Sequence, residues 1–192
     1  MSPQLQSYAD AFSESRRRLH ALAGGVGDDA FNRKPSAKAW SAGECVVHLN
    51  RTAAAYLPAL EAALGAGAPR GEGPFRWGWV ARRFVEAVRP GSRSVPTFGG
   101  MRPPRPAGLR SDVDRARAVA QFDADAARWL ALCERAEGVD LGRVRVRSPF
   151  VPLLKLPAGA FLEAMGLHAL RHVGQAERAV ERPPSAGGGA DS

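Results

Sequence analysis

The chain predicts an all-α fold, a four-helix bundle with an elaborated connection between the second and third long helices. Three observations carry this. Four separate segments repeat apolar residues at three- and four-residue spacings, the period of one helix face. Their starts carry helix-entry signals of serine, acidic residues or proline. Glycine and proline cluster between residues 65 and 110, where a long connection is expected. At 192 residues the chain can bury one full core and is short for two. Residues 1–182 are therefore expected to form one domain, and the Pro/Gly/Ser/Ala-rich residues 183–192 a disordered tail.

The first helix is expected over Pro3 to Ala23, with Leu5, Tyr8, Phe12, Leu19 and Leu22 on one face and Gly24, Gly25 and Gly27 ending it. His20 falls at the flank of that stripe, as a surface or boundary residue. A linker, Asp28 to Ala39, leads to Trp40. Ser41 and Glu44 then form a capping box, in which hydroxyl and carboxylate each satisfy a backbone donor left open at a helix start. The second helix runs from Ser41 to about Leu64, burying Val47, Ala55 and Leu60, with Pro58 as a site of bending.

Inside the connection, Phe75 to Val88 places Trp77, Val80, Phe84 and Val88 on one side and Arg76, Arg82, Arg83 and Arg89 on the others. A short helix capping the bundle is preferred over a membrane-surface helix of the aromatic and basic kind. Val95 to Leu109, with four prolines and Gly99-Gly100, reads as a structured loop. Ser111, followed by Asp112 and Asp114, reads as the cap of the third helix, whose stripe is Val119, Phe122, Ala126, Trp129, Leu130 and Cys133. Leu141 to Leu156 alternates but contains Pro149 and Pro152, so it is an extended connection or at most an isolated strand pair. Pro157 suits a first helical position, and the fourth helix runs to about Glu181.

The net charge of +8 would favour acidic partners, but 24 of the 27 basic residues are arginines spread along the chain. Solvated faces account for such a spread, and nucleic acid is not expected as a partner. No apolar run reaches the length of a bilayer span, and the N-terminus has no signal-peptide pattern, so a cytoplasmic protein without membrane contact is expected. Cys45 and Cys133 are then free thiols.

His168 and His172 lie four apart in the last helix, so both imidazoles leave one face, about 40° apart around the axis. A pair alone reads more readily as solvated or core-capping histidines than as ligands. His48, two turns into the second helix, can project into a bundle interior as a third ligand or as a satisfied core histidine. Three neutral imidazoles on a divalent ion leave coordination positions open for water or substrate.

The phrase Trp40-Ser41-Ala-Gly-Glu44-Cys-Val-Val-His48-Leu49, with Ser148-Pro149-Phe150 and His168-x-x-Arg171-His172-x-x-Gln175 downstream, resembles the DinB superfamily, the DinB/YfiT-like metalloenzymes. The resemblance covers roughly residues 3–182 and implies a four-helix bundle carrying a metal on His48, His168 and His172. It also implies metal-dependent transfer of a low-molecular-weight thiol (an S-transferase), or activation of water, on a small-molecule substrate. The alternative is a stress-related metal-binding bundle without turnover. Zinc, nickel and ferrous iron all accept imidazole, so the residues do not choose the ion.

Around the triad, Glu44 is split between orienting His48 and the capping box. Cys45 reads as a small buried residue rather than a fourth ligand. Gln175 is either a partner of a ligand or a helix-packing residue, and Arg171 points off the ligand face toward a structural salt bridge. Arg82, Arg83 and Arg102 are the basic residues that would draw in carboxylate-bearing substrates. A homodimer through helix faces is compatible with the stripes, which do not specify one.

Overall fold

A computed structural model describes residues 1–92, 99–104, 108–151 and 153–181. The expected tail, 183–192, and residues 95–98 and 105–107 of the expected loop lie outside the described residues. Among the described residues six helices follow in chain order: α1 Pro3–Gly25, α2 Asp28–Asn32, α3 Ala42–Ala63, α4 Trp79–Val88, α5 Arg115–Arg135 and α6 Ala158–Glu181. A 3-10 turn covers Gly99–Met101, and two short strands, β1 Arg145–Arg147 and β2 Lys155–Pro157, pair antiparallel with Val146 opposite Leu156. The four long helices make the bundle. α1 and α3 each pack on both α5 and α6, so α1 and α3 occupy opposite corners, and α4 lies across α6. Among the described residues no helix is long and apolar enough to cross a membrane.

The apolar faces account for this packing. α1 buries Leu5, Tyr8, Phe12 and Leu19, and Phe12 stacks on Trp129 of α5 with ring centroids 5.1 Å apart. α3 is a continuous helix through Pro58, and its buried face is Val46, Leu49, Ala53, Tyr56, Leu57 and Leu60. That corrects the expected stripe by one position, since Val47 and Ala55 are only partly buried. In α6, Gly159 permits a close approach: a Cβ there would lie 2.3 Å from Cη2 of Trp77. Trp77 therefore seats against the start of α6 and leads the chain into α4.

Several local expectations yield to tertiary contacts. The expected linker contains α2, whose Phe31 is fully buried. α1 continues through Gly24 and ends at Gly25, with Val26 already extended. α4 begins only at Trp79, with Ala81 and Val85 as its buried residues, while Val80 is 52% exposed. Ser111 does not cap α5. Asp114 does, accepting from the Arg117 N–H, while Ser111 is buried and donates to Oδ1 of Asn32 at 2.7 Å. Asn32 also accepts from the Val113 N–H at 2.8 Å, so this network holds the chain extended past Ser111 and delays the helix. Pro157 ends β2 immediately before α6 instead of opening the helix.

The core has two apolar halves stacked along the bundle axis. At or beside the division each long helix places a polar residue: Ser15 on α1, Thr52 on α3, Asp125 on α5 and His168 on α6. A polar level inside a bundle is costly unless its groups are partnered.

Candidate metal centre

The capping box does form, and it aims the first histidine. Ser41 Oγ accepts from the Glu44 N–H at 3.0 Å, and Glu44 Oε2 accepts from the Ser41 N–H at 2.9 Å. Glu44 is fully buried, with the Lys34 ammonium 3.7 Å from its other oxygen. Its carboxylate is thus committed to the helix start and to Lys34. The partner of His48 is instead the carbonyl of Met101, 2.9 Å from Nδ1. A carbonyl only accepts, so Nδ1 carries the proton and Nε2 of His48 presents a lone pair.

That Nε2 lies 3.1 Å from Nε2 of His168. The ring of His172 lies 4.5 Å, centroid to centroid, from those of His48 and His168 alike. One ring nitrogen from each of His48, His168 and His172 falls within 4.8 Å of the others. The structure therefore brings together all three expected ligands from α3 and α6. Trp40 walls the cluster, its ring 5.0 Å from that of His48 and 5.7 Å from that of His172.

These residues fit a divalent ion. Two imidazole nitrogens at about 2.0–2.1 Å from a tetrahedral ion stand roughly 3.3 Å apart, near the separation of His48 and His168. Nδ1 of His172 is buried without a hydrogen-bond partner, a buried polar atom that the rest of the protein leaves unsatisfied. Burial lowers the pKa of all three imidazoles, and for His168 and His172 the charges of neighbouring histidines and Arg171 lower it further. All three stay neutral near pH 7, the form that ligates.

That neutrality has a measurable consequence. An imidazole whose folded pKa lies below about 6.5 takes up protons on unfolding, so stability falls as the pH drops through that value. Metal-free protein should lose up to about 1.4 kcal/mol per pH unit for each such histidine below about pH 6.5. Urea unfolding from about pH 7.5 to about 5 would show this, and a flat response would mean that the folded cluster protonates freely.

The triad opens on a cavity of about 580 Å³. Phe84, Val88, Leu154 and Met165 supply apolar wall, and exposed Lys38 and Arg102 bring the cavity to the protein surface. Gln175 lines it beside His172. Of the three basic residues expected to face substrate, Arg102 does, whereas Arg82 and Arg83 are exposed and not part of the lining. Arg171 also lines it, and its guanidinium donates to the Ala87 carbonyl at 3.1 Å and to Ser92 Oγ, tying α6 to the end of α4. Cys45 is fully buried, and its thiol is pushed far up by desolvation and by Glu44. It is a packing residue and not a fourth ligand. His20 sits at the surface, paired with Asp123.

Two features were not read from the sequence. Met101 had no signal, because its role depends on a loop carbonyl meeting α3. Asp125 did have one: it sits three residues after Phe122 and four before Trp129, within the apolar stripe of α5.

The family model described as the DinB superfamily matches residues 11–176. No curated protein and no solved structure matches the chain.

Proposed function

The chain belongs to the DinB superfamily, and from that premise we propose that it is a cytoplasmic, metal-dependent enzyme transferring a low-molecular-weight thiol to a small-molecule electrophile. Activation of water at the same centre is the hydrolytic form of this reading. A divalent ion on three neutral imidazoles keeps its full charge and supplies a Lewis acid that lowers the pKa of a coordinating thiol or water. The observation that carries the reading is the placement of His48, His168 and His172 in the wall of a surface-connected cavity large enough for a small molecule. A metal held only for structure has its coordination closed by protein.

The chain's own residues would do the remaining work. His48 is held in one tautomer by the Met101 carbonyl, which keeps its lone pair aimed inward. Phe84, Val88, Leu154 and Met165 exclude water from the apolar part of a substrate. Lys38 and Arg102 at the mouth would draw a carboxylate-bearing partner toward the cavity. Tyr56 and Ser148 offer hydroxyls in the cavity lining, linked to each other at 3.1 Å.

The test is elemental analysis of protein purified without a histidine tag, then a panel of low-molecular-weight thiols assayed against a chromogenic aryl halide. Near-stoichiometric zinc, nickel or iron with thiol-dependent turnover is expected. Stoichiometric metal without turnover on any thiol or ester would instead favour the non-catalytic metal-binding bundle. Absence of metal would remove both readings.

A further inference from the structure

The polar level across the bundle encloses a second, much smaller space. Ser15, Thr52, Asp125 and His168 line a void of about 20 Å³ in the middle of the core. That is room for one water molecule. His168 is shared, because it lines this void and the large cavity alike.

The hydrogen-bonding groups around the void are unbalanced. Ser15 donates its proton to the Phe12 carbonyl at 2.8 Å, and Thr52 donates to the His48 carbonyl at 2.8 Å. Both hydroxyl oxygens therefore remain as acceptors. Asp125 is 4% exposed; its Oδ1 accepts from Gln121 at 3.1 Å and faces Arg128 at 3.9 Å, while its Oδ2 is buried with no partner. A carboxylate oxygen buried without a donor costs several times what a neutral group does. The other residues around this small space are apolar apart from Trp129, whose ring is stacked on Phe12, and His168 is the lining residue whose proton can be shared between the void and the triad. Because Nε2 of His168 turns to His48 and the ion position, the proton of the ligating tautomer sits on Nδ1.

We propose that Asp125, acting through one water held between Ser15, Thr52 and His168, receives the Nδ1–H of His168 and so positions that imidazole as a metal ligand. The water accepts from His168, donates one proton to Asp125 Oδ2 and the other to one of the two hydroxyl oxygens, which gives the buried carboxylate oxygen its donor. Asp125 is then a positioning residue on a helix that carries none of the three ligands. It couples α5 to the metal centre and explains why an acid stands within an apolar stripe.

The inference rests on the reading of the histidine triad as a metal site, and the experiment separates the two. Zinc affinity of tag-free wild type, Asp125→Asn and Asp125→Leu is measured by competition with a chromogenic chelator, and the cobalt(II)-substituted proteins are compared by visible spectrum. Supporting-shell losses are typically 10–100-fold, so D125L should weaken zinc by about that factor and shift the cobalt bands, with D125N, which keeps a carbonyl acceptor, losing less. Unchanged affinity and spectrum in a folded D125N and D125L would overturn the positioning role while leaving the metal site intact. Failure of wild type to take up zinc or cobalt would overturn both. If D125L does not fold, D125N and Thr52→Val decide, the latter removing another acceptor of the same water: weaker zinc binding supports the proposal, and wild-type binding in both rejects it.

Discussion

Replacing any one of His48, His168 and His172 by alanine is expected to lower divalent-metal affinity by at least about a hundredfold, more than loss of a supporting hydrogen bond typically costs. The reason is geometric. The site has three protein ligands from two helices, and no carboxylate or thiol joins the cluster among the described residues. Two remaining imidazoles form an ordinary weak surface-type pair. The three variants should be similar in effect, because each removes one of three comparable bonds. They should also fold, since each removes a polar ring at the wall of an existing cavity and leaves the apolar core clusters intact. Metal content by elemental analysis, with helicity checked by circular dichroism, is the measurement. Wild-type stoichiometry in all three variants would show that the ion sits elsewhere.

Phe161→Ala should produce the largest loss of stability of any single change near the site. Phe161 is fully buried, and its ring lies 5.3 Å from those of both Tyr56 and Phe84. It therefore joins α6 to α3 and to α4 at one point, beneath the cavity. Truncating a buried phenylalanine costs about 3–5 kcal/mol. In a domain of this size, that is a fall in Tm of roughly 6–20 °C. Tyr56 and Phe84 line the cavity, so the variant should also bind small apolar ligands more weakly at temperatures where it remains folded. Calorimetry against Phe161→Leu, which keeps most of the volume, separates lost packing from a general intolerance. A loss below about 1 kcal/mol would mean that α4 is not seated on this ring.

Particular residues show how far the chain could be read. The capping box at Ser41 and Glu44 was legible because it is a contact between residues three apart, and it formed as expected. The four long helices were legible for the same reason, since periodicity is local, but the stripe of α3 was misplaced at Val47 and Ala55, which are only partly buried. Ser111 misled, since a serine followed by acids is a good local cap, yet Asn32, distant in the chain, offers it a buried partner. The register of α4 shifted because Trp77 packs beside Gly159, a contact no window of neighbouring residues contains. The role of Glu44 is decided by distant residues, Lys34 meeting its carboxylate and the Met101 carbonyl meeting His48 in its place.

The sequence by itself determined the fold class, the helix that presents His168 and His172 together, and the capped start that points His48 inward. Those depend on spacings along one chain segment. Only the tertiary structure decided that α3 and α6 face each other at the right level and that the cluster opens on a cavity. It also set Asp125 behind His168. Each of these depends on how helices are staggered along the bundle axis, which is fixed by packing between distant segments and leaves no signature in the order of neighbouring residues.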